Sequence, residues 1–182
     1  GKYSASVGAS SSKTCVSCVK GKFSTTPGAQ SQNTCKDCPP GLFSLDSGMT
    51  ACDGCPAGKY LVPKTTTCKE CEAGSYTAKD GAHECTSCPI GRYAKEKQAT
   101  SCSFCGPGRY ASKERSTSCD GTCEAGTFSS IFGSSSANDC EKCPLGTFQF
   151  QKGMSFCSMC PAGSFADEKG SMKCTLCGYN TY

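Results

Sequence analysis

The stretch CPAGKYLVPKTTTCKEC, residues 55–71, decides the fold. It opens on Cys55 and Pro56, places Gly58 three residues after the cysteine and Tyr60 two residues after the glycine, and closes on the Cys68-x-x-Cys71 pair. Close copies read CPPGLFSLDSGMTACDGC (38–55), CPIGRYAKEKQATSCSFC (88–105) and CPAGSFADEKGSMKCTLC (160–177). The first cysteines of successive pairs are Cys15, Cys35, Cys52, Cys68, Cys85, Cys102, Cys119, Cys140, Cys157 and Cys174, mostly 17 residues apart. A fixed period of this kind marks an array of equivalent units.

Each recurring position has a physical task. Proline fixes one backbone dihedral and the glycine completes a turn. In the last copy Asn180 stands where the glycine should be, and Asn tolerates the left-handed region best after Gly, so positive φ is expected at Gly58, its equivalents and Asn180. The aromatic follows, from Tyr3 and Phe23 through to Tyr182, then a second glycine or turn five residues on. Length varies only at this second turn, where GASSSKTC, GAQSQNTC and GSSSANDC lengthen the unit and LVPKTTTC shortens it. Variation confined to one point marks an exposed loop tip. The unit reads as a short β-hairpin with strands of about 3 to 5 residues and no helix. One pair, CDGTC from Cys119 to Cys123, carries an extra residue and suggests a local bulge.

Twenty cysteines in 182 residues, with one histidine and no tryptophan, leave ordinary core formers scarce. Fixing each residue costs about 1 to 2 kcal/mol, which so thin an apolar inventory does not offset without cross-links. The composition implies disulfides and an oxidising, extracellular compartment. No run of 18 apolar residues exists, so no transmembrane segment is expected in this chain. Residues 1–3 already match Gly-x-aromatic and Tyr182 falls on the aromatic again. Residues 1–182 therefore read as tandem repeats of about 17 residues, a segment of a longer protein with truncated repeats at both ends.

The phrase CPxGxY/F, about ten residues and then CxxC, resembles the ephrin-receptor-like cysteine-rich repeat over essentially the whole chain. It is similar also to the first submodule of tumour necrosis factor receptor cysteine-rich domains, although no alternating second module with its own six cysteines is found here. The resemblance implies an elongated array of disulfide-linked β-hairpins, of the sort used in receptor ectodomains, adhesion stalks and surface fibres. The fold class expected is small, disulfide-rich and all-β, without a large hydrophobic core and with essentially no helix. At strand spacings of about 4.8 Å, ten two-stranded units would span roughly 100 Å.

Three chemistries compete for the CxxC pairs. A redox site needs a reactive thiolate in a thioredoxin-like setting; paired CxxC motifs can hold zinc, but here the gap between most pairs is about a dozen residues, histidine partners are lacking and the composition is that of a secreted protein. Structural disulfides suit the composition better, so neither metal nor cofactor is expected. Joining Cys15 to Cys35 and Cys18 to Cys38 would double the period, which the spacings do not show. The favoured pairing runs from the second cysteine of each pair to the first of the next: Cys18–Cys35, Cys38–Cys52, Cys55–Cys68, Cys71–Cys85, Cys88–Cys102, Cys105–Cys119, Cys123–Cys140, Cys143–Cys157 and Cys160–Cys174. Cys15 and Cys177 then seek partners outside the segment.

The aromatics are expected to pack on sulfur as miniature cores. Charge alternates in sign, as in AKEKQ and SKERS, and sums to +4, which describes a solvated surface, and no nucleic-acid partner is expected for a chain of secreted type. Lys2, Lys22, Lys59, Arg92 and Arg109 sit between glycine and aromatic and would attract acidic glycans if displayed in line. His83 has no catalytic company, and no enzyme activity is expected. Asn33-Thr-Cys and Asn138-Asp-Cys are the rare cysteine form of the N-glycosylation sequon, while Ser10, Ser11, Ser12 and Ser134, Ser135, Ser136 offer hydroxyls for O-linked sugar. Uniformity favours a stiff extracellular spacer or fibre component, for example of a cell-surface filament such as a flagellar hair, whose partners are further repeats or other protein chains. The alternative is a ligand-binding or adhesion ectodomain of a cell-surface receptor, with its contact patch at Ile131 and Phe132 in the least regular repeat.

Overall fold

The computed structural model describes residues 1–63 and 65–178; Asn180 and Tyr182, on which two sequence expectations rest, lie outside the described residues. Ten antiparallel hairpins follow one another, numbered here as repeats 1 to 10. They pair β1 (Lys2–Tyr3) with β2 (Val16–Ser17), β3 (Lys22–Phe23) with β4 (Lys36–Asp37), β5 (Leu42–Phe43) with β6 (Asp53–Gly54), and β7 (Lys59–Leu61) with β8 (Cys68–Glu70). The series continues with β9 (Ser75–Tyr76) and β10 (Thr86–Ser87), β11 (Arg92–Tyr93) and β12 (Ser103–Phe104), then β13 (Arg109–Tyr110) and β14 (Gly121–Thr122). It ends with β15 (Thr127–Phe128) and β16 (Glu141–Lys142), β17 (Thr147–Phe148) and β18 (Ser158–Met159), and β19 (Ser164–Phe165) with β20 (Thr175–Leu176). The fold is the small, disulfide-rich all-β repeat array that the sequence pattern implied.

The strands are shorter than expected, two residues in all but β7 and β8. The backbone explains why. In repeat 6 the residue after the ring, Ala94, donates its amide not across the hairpin but to Ser116 O of the next repeat, at 3.1 Å. The ladder is cut there because its next donor is spent on the neighbour. Turn geometry follows the glycine pattern: Gly21, Gly41, Gly58, Gly74, Gly91, Gly108, Gly126, Gly146 and Gly163 all lie between φ +72° and +85°. The CDGTC pair holds no bulge inside its strand, since Tyr110 pairs with Gly121 and Arg109 with Thr122. The extra residue, Asp120, sits before the strand and accepts hydrogen bonds from the Ser112 amide at 3.1 Å and the Ser112 hydroxyl at 3.0 Å. Those bonds hold its carboxyl below the usual range.

Sulfur forms the interior. Disulfides join Cys18–Cys35, Cys38–Cys52, Cys55–Cys68, Cys71–Cys85 and Cys88–Cys102. Four more join Cys105–Cys119, Cys123–Cys140, Cys143–Cys157 and Cys160–Cys174. Their Cα atoms stand 5.5 to 5.9 Å apart, the ordinary span of such a bond. Cys15 and Cys177 are free and exposed. The cysteine that opens the hairpin is buried in repeats 2 and 4 to 9, completely so at Cys55, Cys71, Cys88, Cys105 and Cys143, while Cys38 and Cys160 are half-buried. Beside it lies the residue following the ring: Ser24, Ser44, Leu61, Thr77, Ala94, Ala111, Ser129, Gln149 and Ala166 are all buried. The rings themselves are only half-covered, and Phe165 is exposed. The buried interior of a repeat is therefore cystine sulfur and the side chain that follows the ring, while the ring itself is only half-covered.

The chain divides into two compact units, Gly1–Cys71 with Thr77–Thr86 and Gln98–Thr100, and Glu72–Tyr76 with Ser87–Lys97 and Ser101–Tyr182. Within each, the same contacts recur. In the second unit Gly91 N donates to Ala111 O (2.9 Å), and Arg115 N of repeat 7 donates to Cys88 O (2.8 Å). In the first, Gly58 N donates to Thr77 O (2.9 Å) and Gly81 N to Cys55 O (2.7 Å). A second layer of contact skips one repeat. A Cβ placed on Gly91 would stand 2.9 Å from the carbonyl carbon of Gly133, two repeats on, and one on Gly41 would meet the carbonyl carbon of Gly81 at 2.8 Å. The bare α-carbon of the first turn is thus covered by the second turn of the repeat after next at Gly41, Gly58, Gly74, Gly91, Gly108 and Gly126, whereas Gly21, Gly146 and Gly163 meet no described residue within 4 Å. Gln98 and Arg115 occupy second turns at φ +61° and +59° and store strain of roughly 1 kcal/mol each to do so.

No α-helix occurs among the described residues, but each long insert winds into one 3-10 turn, at Ser12–Thr14, Gln32–Thr34 and Ala137–Asp139. The serines before them supply the reason. Ser11, Ser31 and Ser136 cap the turns through their hydroxyls, which is how a Ser-rich loop satisfies its own amides.

Candidate functional site

Repeat 4 breaks the rule in the first unit. Its second turn, in LVPKTTTC, is one residue shorter, and its backbone closes on itself: Val62 N donates to Thr67 O (3.1 Å) and Thr65 N to Val62 O (3.1 Å). β7 and β8 gain a third pair, Leu61 with Cys68. The loop that elsewhere reaches back two repeats is used up locally. No described residue comes within 4 Å of a Cβ built on Gly21, whereas Gly41 and Gly58 are both covered. Cys38 stays half-buried where Cys55 and Cys71 are sealed.

An open cavity of about 790 Å³ lies there, walled by Pro39, Leu42, Phe43, Leu61 and Pro63, with His83 also on its lining. Such walls suit an apolar group, and the volume matches that of small-ligand clefts. The opening also exposes a disulfide. Limited reduction followed by alkylation is expected to label Cys38 and Cys52 several-fold ahead of Cys88 and Cys102; simultaneous labelling would mean that the missing cover is immaterial.

The patch read from sequence lies in the second unit. Ile131 and Phe132 are 53% and 68% exposed at the second turn of repeat 8. The loop beneath them is built firmly. Ser129 and Ser134 are buried with their hydroxyls 3.4 Å apart, and Ser129 Oγ accepts from Ile131 N. Asp139 accepts from the amides of Ser135 (2.7 Å) and Ser136 (3.1 Å), which holds its carboxyl below the usual carboxylate range. In the same unit Phe150, 65% exposed, stacks on Phe148 at 6.4 Å between centroids, and Phe156 is 57% exposed.

Ser10, Ser11 and Ser12 are exposed; Ser134 is 4% exposed and Ser136 is engaged as a cap, so the second serine cluster presents far less hydroxyl to a modifying enzyme. Three of the five residues in the basic row are answered across their hairpins, while Lys2 and Arg109 face Ser17 and Thr122. Lys22 pairs with Asp37 at 2.7 Å, Lys59 with Glu70 at 3.4 Å, and the Arg92 guanidinium lies 3.8 Å over the Phe104 ring. Among the described residues, only Lys22 and Lys59 of the row have their charge met by a carboxylate. His83 is exposed beside Glu84, 3.7 Å away. Sequence reasoning missed the cavity, whose one signal was the deleted residue in LVPKTTTC.

Among the described residues no helix is long and apolar enough to cross a membrane. A comparison with family models matches residues 58–101 and 126–177, more than half of the chain, to the family described as tyrosine-protein kinase ephrin type A/B receptor-like. No curated protein matches the chain significantly.

Proposed function

Because the chain belongs to the ephrin type A/B receptor-like family of cysteine-rich modules, we propose that it acts as an extracellular structural segment, a stiff disulfide-stapled spacer or fibre component of the cell surface. The family and the nine disulfides together make it an extracellular receptor-like or structural module. The finer reading rests on one observation. Each first-turn glycine from Gly58 to Gly146 donates to the next repeat through the same backbone bond, at 2.7 to 2.9 Å, whatever side chains surround it. Contacts that ignore side-chain identity serve repetition, and such arrays behave as quasi-one-dimensional objects. A filament such as a flagellar hair is one use of a segment of this kind.

Small-angle scattering on the oxidised chain tests the proposal. A compact body of this length has a radius of gyration near 16 Å, and the spacer is expected to give about twice that. A value close to the compact one would remove its main support. The second reading, a ligand-binding or adhesion ectodomain, is favoured by the apolar exposure of Ile131 and Phe132 on a loop held rigid by Ser129 and Asp139.

A further inference from the structure

Two Asn-x-Cys triplets remain without a role, and their middle residues, Thr34 and Asp139, separate them. We propose that Asn33 is an N-glycan acceptor whose occupancy is decided by a race with closure of the Cys18–Cys35 disulfide.

The folded chain has room for the sugar. Asn33 is exposed in the 3-10 turn Gln32–Thr34 at the loop tip of repeat 2. That turn is held by Asn33 N donating to Ser31 Oγ (3.2 Å), Thr34 Oγ1 to Ser31 O (2.7 Å) and Cys35 N to Gln32 O (2.9 Å). None of these bonds uses the Asn33 side chain. A glycan on Nδ2 displaces no native contact among the described residues.

The sugar has to arrive before the fold. In an acceptor triplet the third residue supplies a hydrogen-bonding side chain near the asparagine amide, and a thiol does this weakly through its S–H. A disulfide sulfur has no such proton. In the native chain Cys35 is 8% exposed and bonded to Cys18, so the folded protein is no substrate. Cys18 lies 17 residues earlier and is already present when Asn33 emerges from synthesis. Oxidation and transfer therefore compete for the same short interval. In the transfer, Asn33 Nδ2 bonds to C1 of the first sugar of a lipid-linked oligosaccharide diphosphate. The C1–O bond to the diphosphate breaks, the amide gives up one proton, and the lipid diphosphate leaves with the bonding pair.

Asn138 occupies the equivalent turn, Ala137–Asp139, and is exposed as well. Its triplet carries Asp139 in the middle, however, and that charge opposes the diphosphate of the donor. Asn33, with the neutral Thr34, is the acceptor of the two.

The test expresses the full chain with a cleavable secretion leader in a eukaryotic host, recovers protein from cells and medium together, and removes N-glycans enzymatically in heavy-oxygen water. Asn33 is expected to carry the isotopic mark in a minority of wild-type chains, in several-fold more of Cys18→Ser, and in nearly all of Cys35→Thr; Asn33→Gln should abolish it. Recovery of total protein keeps the readout valid for variants that fold poorly. An unmarked Asn33 in wild type or in Cys35→Thr, equal occupancy in wild type and Cys18→Ser, or marking of Asn138 in its place would each overturn the proposal.

Discussion

Gly91→Ala is expected to destabilise repeats 6 to 8 by about 3 kcal/mol, while Gly21→Ala costs about 1 kcal/mol. Both glycines sit in the left-handed region, at φ +78° and +81°, so both substitutions incur the same backbone strain. They differ in what the new methyl meets. At Gly91 it runs into the backbone of Gly133, with Ser134 O at 3.4 Å, and at Gly21 no described residue lies within 4 Å. Hydrogen exchange reads the difference locally, through the amides of Gly91, Cys105 and Gly133, whose bonds to Ala111 O, Gly91 O and Cys105 O cross this region. Equal losses of protection in the two variants would show that contact with the repeat after next contributes nothing.

Removing one cystine, as Cys88→Ala with Cys102→Ala, is expected to cost at least about 3 kcal/mol. The bridge closes a chain separation of 14 residues, which sets that scale through the unfolded state alone. The native state loses more, because Cys88 is fully buried and Cys102 nearly so, and shortening both leaves their packing unfilled. Protection should fall in repeat 6 and in the neighbours that lean on it. Asp37→Asn, which breaks the exposed ion pair to Lys22, provides the scale at the other end with a loss under about 1 kcal/mol. A double cysteine variant that melts within a degree or two of the parent would mean that sulfur is not the core.

The hairpin, its aromatic strand and its two turns were legible because each is a local matter, decided within a dozen residues. The glycine of CPxG announced positive φ by its own chemistry, although Asn180, whose substitution suggested it, lies beyond the described residues. The buried residue after the ring was also in view: Ser24, Ser44, Ala94, Ala111 and Ala166 are uniformly small, but the larger ring beside them drew the inference toward itself. The answering charges Asp37 and Glu70 follow from hairpin register and were open to the same reading. Contact with the repeat after next was not legible. A period says that units are alike, not which of them touch, and the groups that meet are a bare α-carbon and a carbonyl, which leave no further mark on the sequence. The cavity at Leu42, Leu61 and Pro63 was hidden for the same reason, since a deletion in repeat 4 acquires meaning only once repeat 2 is known to lie beneath it.

The way the bridges are shared has a mechanical consequence. Cys35 and Cys38, like every such pair from there to Cys157 and Cys160, are the end of one closed loop and the start of the next, so the shortest covalent route from Cys18 to Cys174 runs through sulfur and bypasses every loop. In repeat 6 that route crosses a Cα–Cα span of 5.8 Å and then three residues of backbone, roughly 16 Å at full stretch, where an unbridged repeat would pay out about 60 Å. A tensile load is borne by covalent bonds before any loop is drawn taut. Stretched, such a chain behaves as a near-inextensible tether, and its compliance appears abruptly, one loop length at a time, only when a reductant opens a link.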